Sequence, residues 1–195
     1  MRRHRFTAAT LRRGSTLAAL LIAAGAAPLL AQSPAGPACP ARAWVSLAAT
    51  ADDVLGIPHA RLAEEGVLVA GQPSAEHLET LAWIGYRAVL DLRAVEEERG
   101  LDEAGTAVAY GLDYQSLPVT LGALDGALID RFVAALAAAQ RPLLVHCGSG
   151  NRAAGLYAAY LVKARGVPLE EALERGYALG LRQAELAERL AALLV

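Results

Sequence analysis

An α/β domain of three layers, with a mainly parallel central sheet flanked by helices, is the fold class that this sequence predicts. Short apolar runs alternate with stretches of helical periodicity between about residues 66 and 195, the order in which parallel strands and crossover helices are laid down. One run, "RPLLVHC" from Arg141 to Cys147, is apolar at successive positions and does not alternate, as expected of a central strand covered on both faces. Of the 195 residues 55% are hydrophobic and 19% charged, which supplies one core plus an extension and excludes a disordered or low-complexity chain.

The extension comes first. Arg2, Arg3, Arg5, Arg12 and Arg13 precede an apolar run from Leu17 to Leu30 that contains no acidic residue, and the small-residue stretch "AQSPAGPACPA" follows. This is the pattern of a secretory signal peptide over residues 1–31 with cleavage after Ala31, and the run is short for a bilayer span. Arg12-Arg13 permits a twin-arginine route as well as the general one. Residues 32–54 then read as a partly flexible leader and residues 55–195 as the domain. After cleavage thirteen basic residues face twenty acidic ones, a net charge of −7, so nucleic acid is excluded as a partner. The expected location is periplasmic or secreted, with no membrane span left.

Within the domain "GVLVA" (66–70) is a strand ended by Gly71-Gln72-Pro73. Ser74 caps a helix running to about Ile84, with Leu78, Leu81 and Ala82 on one face and Glu76 in the first turn. "RAVLDLR" (87–93) is the second strand, followed by the acidic triplet Glu96 to Glu98, read as solvated. The next helix is expected to turn Ala104, Val108 and Ala109 inward, and "DYQSLPV" (113–119) is the third strand. Ile129, Phe132, Val133 and Leu136 have the spacing of a helix face that begins at Asp125 or Gly126. After the strand that ends at Cys147, helices are predicted from Asn151 to Ala164, from Pro168 and from about Arg182.

The chemistry converges on "LLVHCGSGNRAAG" (143–155). A buried strand delivers Cys147 at its carboxyl end, where ligands of open α/β sheets sit, and a glycine-rich turn leads into a helix. The amides of Gly148, Ser149, Gly150 and Asn151 form a candidate anion nest reinforced by the helix N-terminus. Arg152 offers a bidentate fork to a tetrahedral oxyanion, and the same positive potential favours a thiolate nucleophile at Cys147. Ser149 is a candidate to bond the sulfur or assist a leaving group, and His146 to orient the loop. Asp125 is the candidate general acid by its order along the chain, with helix capping as its other reading. Asp91, in mid-strand, is read as pointing to a neighbouring backbone amide, Asp113 as facing solvent and His77 as a solvated helix residue. No metal or cofactor is implied: the histidines are scattered, and Cys39 and Cys147 have neither zinc spacing nor the number for a disulfide framework.

His146-Cys147, the glycine loop and Arg152 resemble the phosphate-binding loop of cysteine-dependent phosphatases, the tyrosine and dual-specificity group. "AGQPSAEHLETLAWIGYRAVLDLR", "YQSLPV" and "VHCGSGNRAAGLYAAYLV" together resemble, more narrowly, the phosphatase-like domains of bacterial beta-lactamase-hydrolase-like proteins, over about Leu55 to Val162. The resemblance implies a phosphatase-like fold, Cys147 as nucleophile, Arg152 as phosphate clamp and the amides between them as oxyanion cradle. The substrate it implies is a phosphorylated protein or a small phosphate ester. Four residues separate Cys147 from Arg152, where the broader phosphatases have five. A loop of that length also resembles rhodanese-type sulfurtransferases, which carry a persulfide. A non-catalytic anion-binding or redox-sensing domain is the third reading.

Overall fold

Leu143–His146 forms the middle strand of a five-stranded sheet, with every residue buried, as its unbroken apolar run requires. The computed structural model describes residues 55–195; the predicted signal peptide, the leader and Cys39 lie outside the described residues. In chain order the elements are β1 (Arg61–Glu64), β2 (Val67–Ala70), α1 (Ala75–Trp83), β3 (Ala88–Asp91), α2 (Glu103–Ala109), β4 (Asp113–Ser116), α3 (Gly126–Ala138), β5 (Leu143–His146), α4 (Asn151–Arg165), α5 (Leu169–Ala178) and α6 (Ala184–Leu194). The sheet order is β1-β2-β5-β3-β4, parallel throughout except for β1, which runs antiparallel to β2.

Because side chains alternate along a strand, the sheet sorts its residues onto two faces. Val67, Val69, Ala88, Leu90, Leu143, Val145 and Cys147 share a core with Ile129, Phe132, Leu136, Leu156 and Leu190 from α3, α4 and α6. Leu68, Ala70, Val89 and Leu144 pack on the other face with Leu78, Leu81 and Ala107 from α1 and α2. The three layers follow from this division. Gly155 and Gly176 permit the tightest helix contacts, since a Cβ at Gly155 would lie 3.1 Å from Leu186 and Leu190, and one at Gly176 would lie 3.1 Å from Ala158.

One element was not expected and two expectations need correction. β1 was not foreseen: Arg61–Glu64 is a short, half-exposed edge strand whose register slips between Leu62 and Glu64, so it carries no apolar run. In α2 the buried residues are Glu103 and Ala107, while Val108 is 67% exposed and Ala104 and Ala109 are also exposed. An acidic residue has taken the inward position because partners wait for it beneath the sheet. His77 is a capping residue: its ring nitrogen accepts the Ser74 N–H at 3.0 Å while its own N–H reaches Ser74 Oγ at 3.2 Å, closing a capping box.

Candidate active site

β5 ends at His146, and the next residue, fully buried Cys147, starts the turn into α4. The end of β2 and the turn after it fix that start. Cys147 N–H donates to Ala70 O at 3.3 Å, and Gln72 N–H donates to Gly148 O at 3.3 Å. Gly150, the residue before α4, has φ +81°, the left-handed conformation that a glycine adopts without steric cost. It also passes close to β2, where a Cβ would lie 3.4 Å from the Ala70 carbonyl carbon. Gly148 and Ser149 remain exposed.

Arg152, one residue into α4, is half-buried and its guanidinium is held from several sides. Nη1 donates to Glu97 Oε1 at 2.5 Å and to Val119 O at 2.9 Å, and Nη2 donates to Glu97 Oε2 at 2.6 Å. The Glu97 hydrogen bond raises the guanidinium above its ordinary pKa; burial opposes this, and the adjacent Cys147 sulfur adds to the rise. Glu97 in turn is held below the usual carboxylate range, chiefly by its Arg152 hydrogen bond, against burial. It is an ionised carboxylate, anchored further by the Ala94 N–H at 2.7 Å. The expectation of a solvated Glu96 to Glu98 triplet is therefore wrong at its middle residue. A Cβ on Gly148 would lie 3.4 Å from Glu97 Oε2, so the loop passes directly beside the ion pair.

The remaining candidates separate. Asp125 is exposed and caps α3, accepting the Leu128 N–H at 2.7 Å. Asn151 turns its side chain away from the loop: Oδ1 accepts the N–H groups of Arg182 (2.7 Å) and Gln183 (3.1 Å), while Nδ2 donates to Gln183 Oε1 (2.8 Å). Only its backbone amide is left for an anion. Ser149 lies at the cleft, and its carbonyl accepts from Arg182 at 2.9 Å. The cleft beside the loop, about 320 Å³, is walled by Val119, Thr120 and Leu121 on one side and by Gln183 and Leu186 on the other, with Glu97, Ser149 and Arg152 at its base. Among the described residues that line it, Glu97 is the single carboxylate.

His146 does not reach the loop's anion side, and the alternation of β5 gives the reason. Cys147 and Val145 face α4, so His146 faces α2. There it enters a buried charged cluster with Asp91, Arg93 and Glu103, all 2% exposed or less. Asp91 is paired in register with His146 across β3 and β5. Asp91 does accept a backbone amide, from Arg93 at 2.9 Å, and it also accepts Arg93 Nε, Arg93 Nη2, Arg99 Nη1 and the Tyr114 hydroxyl. Arg93 bonds Glu103 as well, whose other oxygen lies 2.7 Å from His146 Nε2 without the alignment of a hydrogen bond. The donor atoms of Asp91, Glu103 and His146 are close enough together to surround an ion, yet Asp91 already accepts five hydrogen bonds and the guanidinium of Arg93 supplies the positive charge. Sequence reading missed Arg93, Glu97, Arg99 and Glu103. The signal was Asp91 and Arg93, opposite charges two apart in an apolar strand and therefore on one face.

Comparison with known proteins agrees with this fold. The chain is 38% identical over 98 residues to the beta-lactamase hydrolase-like protein of Xylella fastidiosa and 33% identical over 97 residues to that of Agrobacterium fabrum, in each case across 48% of this chain. It spans 23% and 22% of those relatives, less than a quarter of their length. Solved structures share the fold: a DUF442 protein of Shewanella putrefaciens (TM-score 0.62, 21% identity, 73% of this chain and 95% of that one), Tk-PTP (0.58, 21%, 70% and 96%) and TpbA of P. aeruginosa (0.58, 21%, 71% and 84%). Residues 59–164, from the turn before β1 almost to the end of α4, match the family "Beta-lactamase hydrolase-like protein, phosphatase-like domain", and it is to this family, with a phosphatase-like fold, that the chain belongs.

Proposed function

We propose that this protein is a cysteine-dependent phosphatase acting on phosphate monoesters. The observation that carries the proposal is the way Arg152 is held beside Cys147. Glu97 occupies the end of the guanidinium that bears Nη1 and Nη2. The side edge, Nε–H with the outer Nη2–H, is left as a fork for two oxygens of a phosphoryl group. The Cys147 thiolate attacks phosphorus, the bond to the leaving oxygen breaks with its electron pair, and a phosphocysteine results. Water then attacks phosphorus and the sulfur leaves as thiolate. Amides of the loop from Gly148 to Asn151 stabilise charge on the equatorial oxygens, and Arg152 follows that charge as it spreads. TpbA has been solved with phosphotyrosine bound, which supports an aryl phosphate as the first substrate to try.

Cys147→Ser should abolish turnover of nitrophenyl phosphate yet keep vanadate binding, because the loop is unchanged and only the nucleophile is weakened. Arg152→Ala should lose both turnover and binding, by roughly a hundredfold or more in kcat/KM. The four-residue loop favours a second reading, sulfur transfer with a persulfide on Cys147. Release of thiocyanate from thiosulfate and cyanide, with no phosphate released from any aryl ester, would establish that reading and end the first.

A further inference from the structure

We propose that Arg99 is a positioning residue for the anion clamp, joining the buried charged cluster beneath the sheet to Glu97 and through it to Arg152. The inference rests on the reading of Arg152 as the group that grips an anion.

Arg99 follows the acidic triplet, 27% exposed at its side chain, and its two ends serve different neighbours. Nη1 donates to Asp91 Oδ2 at 2.9 Å and to the Tyr114 hydroxyl at 3.1 Å. Nη2 reaches the carbonyls of Arg93 (3.4 Å) and Ala94 (3.3 Å), and the Arg99 carbonyl accepts Gln72 Nε2 at 2.5 Å. Ala94 is the residue that seats Glu97. Its N–H donates to Glu97 Oε1, and its carbonyl accepts the Glu97 N–H at 3.2 Å. The segment 93–97 has no regular secondary structure. Its shape therefore depends on such side-chain contacts rather than on a ladder.

The cluster at the other end of this chain of contacts is held together by charge balance. Asp91 and Glu103 against Arg93 and Arg99 balance two negative with two positive groups, and a charge removed from such a set leaves another unpaired in a buried place. The same cluster touches His146, the residue before the nucleophile. One buried set of charges thus stands beneath both working groups: it meets Cys147 through the backbone of β5 and Arg152 through Arg99, Ala94 and Glu97. Loss of Arg99 should free Glu97 and let the guanidinium of Arg152 swing, with Cys147 unaltered.

Alkylation followed at Cys147 by peptide mass, so that Cys39 is read separately, tests this without requiring turnover. A seated guanidinium draws anionic iodoacetate over neutral iodoacetamide, and the ratio of the two rates, scaled to a free thiol, reads the clamp. Arg99→Met should lower the ratio about tenfold, as the loss of a charged hydrogen-bond anchor predicts. Glu97→Gln should lower it similarly, and the double variant should be no lower than either single one, since both act through Arg152. Arg99→Lys should restore part of it. Leu78→Ala, in the core on the same side of the sheet, should lower the thermal midpoint and leave the ratio alone. A ratio unchanged in Arg99→Met, falls that multiply in the double variant, or an equal fall in Leu78→Ala would each overturn the proposal. Absence of any iodoacetate preference in the wild type would overturn the anion-clamp reading along with it. Absence of phosphatase activity alone would leave the alkylation result standing.

Discussion

The guanidinium of Arg152 has two edges that can each pair with two oxygens, and one is taken. Glu97 meets Nη1 and Nη2 in a two-point pairing, a geometry that lysine cannot reproduce. Arg152→Lys should therefore behave nearly as Arg152→Ala in kcat/KM for nitrophenyl phosphate despite keeping its charge. Asp125 is a different case. Its carboxylate holds the Leu128 N–H at the start of α3, so Asp125→Ala should cost about 1 kcal/mol in urea unfolding. Asp125→Asn keeps an acceptor and should cost less. If capping is its whole role, both variants will change turnover of an alkyl and an aryl phosphate by the same small factor. Selective loss on the alkyl ester, whose leaving oxygen needs a proton, would restore Asp125 as the acid.

Elements position these residues through alternation and through one sharp turn. β5 and the residue after it send His146 and Cys147 to opposite faces, so two adjacent residues enter different environments: Cys147 the apolar core on the α4 side and His146 a buried charged cluster. The turn that follows depends on Gly150 at φ +81°, close to Ala70 and Gly71. Gly150→Ala should be destabilised by roughly 1–2 kcal/mol for its left-handed backbone alone. It should also weaken vanadate binding, because the strain falls inside the loop. Gly71→Ala tests the neighbouring wall, where a Cβ would meet Pro58 O at 2.9 Å, inside any real contact. The melting temperature should fall in both, and oxyanion binding should suffer more in Gly150→Ala.

At the scale of the whole molecule the buried charges tie stability to pH. Burial alone would raise the Asp91 carboxyl, but the Arg93 side chain, His146, the Arg93 N–H and the Tyr114 hydroxyl outweigh it and hold the carboxyl at about 2, below its ordinary value of 3.8. A depressed carboxyl contributes stability above its unfolded value, and that contribution is lost as pH falls through the folded one. Urea midpoints should therefore hold steady down to about pH 4 and drop between 4 and 2 by more than a surface ion pair explains. Asp91→Asn should flatten that drop and lower stability at pH 7 by roughly 3–5 kcal/mol, since it leaves arginine charge buried and unpaired. Among the described residues no helix is long and apolar enough to cross a membrane. Export remains a proposal from the N-terminal sequence: protein purified from cells should begin near Gln32, and recovery of an intact Met1 would remove it.

What the sequence by itself determined was whatever depends on neighbours along the chain. Apolar runs marked β2, β3 and β5, the spacing of Ile129, Phe132 and Leu136 marked α3, and Ser74 and Asp125 marked helix starts, because each is a local matter of period or capping. Cys147, the glycine loop and Arg152 were legible for the same reason: strand, turn and helix follow one another within ten residues. Tertiary structure alone decided the partners. Glu97 reaches Arg152 across 55 positions, His146 meets Glu103 across 43, and Glu103 turns the inner face of α2 away from the apolar positions that periodicity favours. Local patterning carries no information about such pairs, for a charged residue reads as solvated until the fold places an opposite charge beside it and removes the water from both.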